Sequence, residues 1–219
     1  MLTTEGVKSV IKQFRILRRS RSLSLCGLLT MAVAFLSAGP AQAAPLNMSG
    51  MTWGTIASCI DPDLTQPFLS AGDSNWYTLA PGESAGSFGG TGWTLSGGAS
   101  ITAGQNGSGS VLDLPSGSQA ISPPMCVASD YPTARTMVRN VVGGEGVQVS
   151  VAYAGTKTAS AAQTVGQVHG QRSAWTLSNP VNIHPGNLPG WQLVRFALTP
   201  GGKSSDFQVY DFWVDPHMH

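Results

Sequence analysis

Charge is scarce in this chain: only 11% of its 219 residues are Asp, Glu, Lys or Arg. What charge there is falls unevenly. Six of the 12 basic residues precede Ala44 but only one of the 11 acids does, so the chain from Ala44 onward holds six bases against ten acids, a formal net charge of −4. That remainder has no basic stripe for nucleic acid and no polybasic patch for a lipid surface, which excludes both as partners. Helix-forming pattern is also missing. Beyond Ala43 no window of about eleven residues keeps an apolar i, i+3, i+4, i+7 stripe clear of Gly and Pro, so a helix-rich fold is excluded. Neither His-Glu-x-x-His nor Cys-x-x-Cys occurs, and His217-Met218-His219, at the chain end, lacks a third ligand. The sequence therefore predicts no metal site of these kinds.

The bases that do cluster lie in the first segment. Lys8 to Arg21 carries six of them, Leu23 to Leu36 is uncharged, and Ala41-Gln42-Ala43 supplies small residues, an order that predicts a cleaved secretory signal over residues 1–43. Ser37-Ala38-Gly39-Pro40 interrupts the apolar run before it reaches the roughly 20 residues a membrane anchor needs. The protein is accordingly expected to be secreted, extracellular or attached to the cell surface, with no membrane span after cleavage. Of three cysteines, Cys26 leaves with this segment. Cys59 and Cys126 remain, and in an oxidising compartment they are expected to form one disulfide, the alternative being two buried thiols.

Residues 44–219 then make one domain's length of chain. Its strongest strand is the last, Asp206 to Asp215, where strict alternation would set Gln208, Tyr210, Phe212 and Val214 against Phe207, Val209, Asp211 and Trp213. Both faces are largely apolar, so this strand is expected inside a sheet, with Asp211 a buried structural acid paired with Arg139 or Arg195. The cleanest alternation elsewhere runs Thr133 to Val142, turns at Gly143-Gly144 and returns through Val147, Val149, Val151 and Tyr153. Trp76–Leu79, Trp93–Ala103, Val111–Leu114, Gln119–Ser122, Ser173–Leu177 and Trp191–Thr199 complete the strand set, while Pro45–Gly72 is expected to wrap the domain and Gly155–Gly170 to form a long loop or weak hairpin. The class is all-β, an antiparallel sandwich, with a jelly roll preferred over an immunoglobulin-like arrangement because the final strand must return to a sheet interior.

Gly92-Trp93-Thr94-Leu95-Ser96-Gly97-Gly98, Leu112-Asp113-Leu114-Pro115, Ser122-Pro123-Pro124-Met125-Cys126-Val127 and Asp206 to Pro216 together resemble a group of uncharacterised secreted actinobacterial proteins, similar in turn to the galactose-binding-like jelly rolls of carbohydrate-binding modules. The resemblance implies a non-catalytic domain and a structural calcium held by acids. Two departures bear on the calcium: Tyr210 stands where one of an acidic pair is expected beside Asp211, and Phe88 is followed by Gly89 instead of Glu.

Candidate chemistry is sparse. Gly82-Glu83-Ser84-Ala85-Gly86 matches the G-x-S-x-G elbow of a serine hydrolase, but Pro81 spoils the strand before it and Gly86-Ser87-Phe88-Gly89-Gly90 starts no helix after it. A glycosidase needs two facing carboxylates on rigid strands, and most acids here fall at turns. Aromatics in or beside loops, Trp76, Tyr77, Tyr131 and Trp175, are the candidates for stacking on sugar rings, whereas Trp93, Trp191 and Trp213 alternate within strands and are expected in the core. The expected function is a non-catalytic binding or surface-interaction domain for a cell-wall or matrix polysaccharide. The rivals are an envelope-structural protein without a small ligand, and a small secreted glycosidase or an esterase using Ser84.

Overall fold

The computed structural model describes Met48, 51–55, Cys59, 62–104, 109–128, Asp130, 132–154, 162–183 and 190–216. The expected signal segment, Tyr131, His184 and 217–219 lie outside the described residues. The described residues form fourteen strands: β1 Thr78–Leu79, β2 Thr94–Ser96, β3 Ser100–Ala103, β4 Ser110–Pro115, β5 Gln119–Ile121, β6 Met125–Val127, β7 Thr133–Val142, β8 Val147–Tyr153, β9 Gln163–Val168, β10 Gln171–Arg172, β11 Thr176–Leu177, β12 Val181–Asn182, β13 Gln192–Pro200 and β14 Asp206–Asp215. The described residues contain one 3₁₀ turn, Leu69–Ala71.

The closing strand organises the first sheet. β14 is flanked by β7 on one side and by β4 and β1 on the other, and the sheet runs β10-β7-β14-β4-β3, with β11 and β12 also on β7. The second sheet runs β2-β5-β13-β8-β9, with β6 on β13. From β4 onward the chain keeps crossing between the two layers, as a jelly roll does, and every pairing is antiparallel except the two-residue contact of β10 with β7. Gln163–Val168, in the stretch expected to form a long loop or weak hairpin, is an edge strand antiparallel to β8. Its Val165-Gly166 step is too short for alternation to register, and the ladder with β8 shifts at Val149/Ser150.

Between the sheets lies one core, including Phe88, Trp93, Leu112, Val138, Phe196 and Phe212. Phe212 is 1% exposed, 5.0 Å from the Phe196 ring and 6.5 Å from that of Trp93. Strict alternation fails in β14. Its register against β7 shifts between Tyr210 and Trp213, and Asp211 takes φ 53, the left-handed region that side chains seldom occupy. This bulge reverses the parity of the strand. Phe207, Val209, Phe212 and Val214 all join the core, Trp213 after the bulge joins a separate cluster with Phe68 and Tyr77, and Tyr210 before it is only partly buried, packed at the margin of the core. The expectation that Tyr210, Phe212 and Val214 share a face is therefore corrected, as is the pairing of Asp211 with an arginine. Arg139 bonds Gln208, Arg195 bonds Ser122 and Thr52, and Asp211 Oδ1 accepts the Gly86 N–H at 2.7 Å.

The outer faces of the two sheets are treated differently. On the second, Met48, Met51 and Trp53 pack against Ile121, Ala152 and Ala197. Arg195 locks that strap, donating to Ser122 O at 2.6 Å and Thr52 O at 2.5 Å with its guanidinium 5.4 Å from the Trp53 ring centre. Cys59–Cys126, with Cα atoms 5.6 Å apart, bonds the same segment to β6. These residues belong to one compact unit, Ala43–His219.

Candidate carbohydrate-binding face and the acid clasp

The first sheet's outer face is covered over only half its length. Around Arg135 and Trp213 it is capped by the segment 62–77: Phe68 meets Trp213 edge-on at 6.1 Å and Tyr77 at 5.2 Å. Arg135 stacks on Phe68 at 5.2 Å, donates to Ser178 O through Nε (2.9 Å) and Nη2 (2.8 Å), and ion-pairs with Asp73. Tyr77, a sequence candidate for sugar stacking, is fully buried here, its hydroxyl donating to Asp73 Oδ2 at 2.8 Å. That expectation is corrected: the ring completes the cap, because the short strand after it turns it beneath Phe68. Trp76, its neighbour, is 41% exposed. Burial pushes the Asp73 carboxyl up, but the Asn75 N–H, the Tyr77 hydroxyl and the Arg135 guanidinium outweigh it and hold it below the usual carboxylate range.

Four or five residues back along the same strands the face opens. Alternation on β4, β7 and β14 turns Asp113, Arg139 and Gln208 away from the core, and sets Tyr210, opposite Met137 on β7, partly buried at its margin. Arg139 Nη2 donates to Gln208 Oε1, and Gln208 Nε2 donates to Asp113 Oδ1 at 2.9 Å, so the three strands are bridged in a row. Trp175, between β10 and β11, closes one side. Its ring meets Tyr210 edge-on at 4.5 Å and lies 5.4 Å from the Arg139 guanidinium carbon. A half-buried tryptophan pinned by a cation and a second aromatic is held in one orientation, and a fixed flat ring beside amide and carboxylate groups matches the C–H face and hydroxyls of a sugar. Of the four aromatics singled out from sequence, Trp175 stands in this row, Trp76 is exposed on the cap, Tyr77 is buried and Tyr131 lies outside the described residues. Tyr210, Gln208, Arg139 and Asp113 were missed as a set. Their signal was present: each is a polar or aromatic residue at an outward position of a strand whose alternate positions are apolar.

No family model matches the chain, and no curated protein matches it. Among solved structures it is similar to the xylan-binding domain CBM22-1 of Paenibacillus barcinonensis Xyn10C, with 15% identity over 64% of this chain and 94% of that one and a TM-score of 0.41. It is also similar to the tandem CBM22-1–CBM22-2 of the same enzyme (14% identity, 66% and 46% covered, TM-score 0.46) and to the family 11 carbohydrate-binding module of Clostridium thermocellum in complex with a mixed-linked tetrasaccharide (12% identity, 58% and 86% covered, TM-score 0.34).

The serine motif has a different role from the one its letters suggest. Ser84 and Ser87 exchange backbone bonds, Ser84 N–H to Ser87 O at 3.1 Å and Ser87 N–H to Ser84 O at 2.8 Å, so Gly82–Gly86 is a tight turn with no helix behind it and an exposed Ser84. The β3–β4 connection presses on this turn: a Cβ at Gly109, where φ is +51, would sit 2.2 Å from Gly86 O. The turn clasps the bulge of β14 reciprocally. Gly86 N–H binds Asp211 Oδ1 at 2.7 Å, and Phe212 N–H binds Glu83 Oε2 at 2.8 Å. Burial pushes the Glu83 carboxyl well above its ordinary value, the Phe212 N–H opposes this and the charge of Asp211 adds to it; burial likewise raises Asp211 against the Gly86 and Ser87 N–H groups.

The structural calcium implied by the resemblance can be tested against this clasp. Gly89 supplies no carboxylate, but Glu83, five residues ahead of Phe88, brings one to Asp211. Its Oε1 is fully buried and has no hydrogen-bond partner. Two carboxylates with an orphaned oxygen are a hard-oxygen donor set of the kind calcium takes. Among the described residues no group of three or more His, Cys, Asp or Glu side chains forms, so any remaining ligands would be backbone carbonyls and water. The residues fit a calcium ion in donor type.

Proposed function

We propose that this is an exported, non-catalytic carbohydrate-binding domain that takes a cell-wall or matrix polysaccharide on the open half of the first sheet's outer face. The observation carrying this reading is the fixed row Trp175–Tyr210–Arg139–Gln208–Asp113. Trp175 offers its ring to a pyranose face, Tyr210 holds that ring from the side, and Gln208 and Asp113 offer amide and carboxylate groups to sugar hydroxyls. Arg139, 6% exposed, is a positioning residue that fixes the Trp175 ring and Gln208. The opposite sheet supports the same choice of face, since its outer surface is already occupied by the strap from Met48 to Trp53.

A glycan array probed with the exported protein, followed by affinity electrophoresis on the polysaccharides it retains, tests the reading. Binding that falls about tenfold or more in Trp175→Ala, an aromatic contact worth on the order of 1.4 kcal/mol, is the expected result. An array on which no polysaccharide binds would overturn it and leave an envelope-structural role ahead. Hydrolysis of a nitrophenyl ester or glycoside by the purified protein would overturn its non-catalytic part.

A further inference from the structure

Ser173 takes φ 61 and, apart from Asp211, is the one non-glycine residue with positive φ among the described residues. The left-handed region costs free energy in a serine, so the surrounding structure must hold it there. Ser173 lies in the excursion from Gly170 to Thr176, which follows one edge of β7 in both directions. Gln171–Arg172 runs parallel to Arg139–Asn140, and Thr176–Leu177 returns antiparallel to Val138–Met137, so the chain reverses within residues 173–175 without leaving that edge. Backbone contacts fix the reversal. Ser173 N–H donates to Asn140 O at 3.1 Å, Gln171 N–H donates to Thr176 Oγ1 at 3.3 Å, and Gln171 and Ala174 form a bridge. Gly170 lies directly on β7: a Cβ there would stand 2.9 Å from Asn140 N and 3.0 Å from the Arg139 carbonyl carbon and Cα.

Covering the edge of β7 does not require such a turn. Further along, β12 covers it as a plain antiparallel pair, Val181–Asn182 against Ala134–Thr133. What the strained turn adds is Trp175, carried to the Arg139 guanidinium and the Tyr210 ring. Arg139 is in register with Gln171, so the strand position that anchors the turn also supplies the cation against the ring. We propose that Gly170 and Ser173 are positioning residues for polysaccharide binding, holding the turn on β7 so that Trp175 is fixed before the ligand arrives. The inference rests on the binding face described above. A ring already held in place loses less freedom on association, so the turn raises affinity without touching sugar itself.

The full exported protein is run by affinity electrophoresis in gels containing soluble xylan, mixed-linked β-glucan, galactan or chitosan. Ser173→Val, whose branched Cβ resists the left-handed region, should bind the retarding polysaccharide about tenfold more weakly, with a urea midpoint within about 0.5 M of wild type. Ser173→Asn, which tolerates that region, should restore binding to within about twofold of wild type. Gly170→Ala, pressed against the β7 backbone, should weaken binding like Ser173→Val, and it carries the test if that variant does not fold. A second readout needs no ligand. With 5-fluorotryptophan incorporated, the Trp175 fluorine resonance, assigned through Trp175→Phe, should be one line in wild type and Ser173→Asn, and should shift or broaden in Ser173→Val. Equal retardation of wild type and Ser173→Val overturns the positioning role and leaves the binding face standing. So does an unmoved fluorine line in Ser173→Val, or equal weakening in Ser173→Asn, since the serine hydroxyl and not the backbone conformation would then matter. A wild type that none of the four polysaccharides retards, and that binds nothing on the glycan array, removes the binding face and this inference with it.

Discussion

Phe212 and Tyr210 are two residues apart on one strand, and ordinary alternation would give them the same face and the same energetic weight. The bulge at Asp211 separates them. Phe212 is 1% exposed and packed among Phe196 and Trp93, so truncation to Ala removes a ring from the middle of the sandwich. The apolar area lost from burial is about 120 Å², which at about 25 cal/mol/Å² is about 3 kcal/mol. Because strands on both sheets pin the surrounding side chains, the site cannot collapse, and the cavity left behind brings the expected cost to about 3–5 kcal/mol. Tyr210 lies on the outer row, partly buried against Trp175. Tyr210→Ala should cost about 1 kcal/mol, the scale of one aromatic pair at a surface. Urea denaturation of the two variants and wild type, disulfide intact, measures the difference at constant m-value. Losses within about 1 kcal/mol of each other would refute the parity reversal, and with it the placement of Tyr210 on the proposed binding face.

Three further outcomes follow from other parts of the fold. Replacing Cys59 and Cys126 together by Ser opens a bond spanning 67 residues of sequence, which in the chain-entropy model costs about 4 kcal/mol; a loss under about 1 kcal/mol on denaturation would show that the strap is held by Arg195 alone. Arg195→Met keeps the stem but removes the bonds to Ser122 O and Thr52 O, leaving the buried Ser122 carbonyl without this donor at a cost of about 1–3 kcal/mol, read as a lowered urea midpoint and faster proteolysis near Trp53. Asp73 has its carboxyl held below the usual value of 3.8, so its contribution is complete above that pH and is lost as pH falls through the lower folded value. Asp73→Asn should accordingly cost about 1.5–3 kcal/mol at pH 7 and almost nothing near pH 2, and a difference that stays constant with pH would refute the ion pair with Arg135.

The layers were legible because period-two patterning is a physical requirement of a strand with one buried face. Thr133–Val142 and Val147–Tyr153 alternate because β7 and β8 each put one side into the same core. The interior position of β14 was legible for the same reason, two apolar faces. What the pattern could not carry was the bulge, since one extra residue leaves no mark in composition and yet reverses every side chain after it. A lone acid in an apolar strand needs a partner, and Asp211 has one, but it is the backbone of the turn that carries the G-x-S-x-G letters and no arginine. Long-range pairings of this kind depend on which loops the topology brings together, and Gly86 is 125 residues from Asp211. The proposed binding row is similar: Trp175 is visible as a loop aromatic, whereas strict alternation puts Tyr210 and Gln208 on the face of Phe212.

The two outer faces differ in what covers them, and the proposed binding face is the one left partly open. A sandwich must dispose of four sheet faces, and here two meet in the core. The second sheet spends its outer face on Met48, Met51 and Trp53, fixed at one end by a disulfide and in the middle by Arg195. On the first sheet the segment 62–77 covers the end around Trp213 and stops there, because its own chain turns at Gly72 and returns through the Thr65–Tyr77 bridge into β1. Beyond that point the strands carry Arg139, Gln208, Tyr210 and Asp113 outward, residues that satisfy one another laterally and so need no chain to cover them. Arg139 offers the test that separates a face merely tolerated by solvent from the proposed binding face. Buried under Trp175 while bonded to Gln208, it ties the ring to the polar row, so Arg139→Met should leave Trp175 in place only loosely and weaken polysaccharide binding through the ring. Stability should change less than in Arg195→Met, because the groups Arg139 releases are side chains that can turn to water. Equal loss of stability in the two variants would make Arg139 a structural tie like Arg195, and the row a patch of surface with no preparation for sugar.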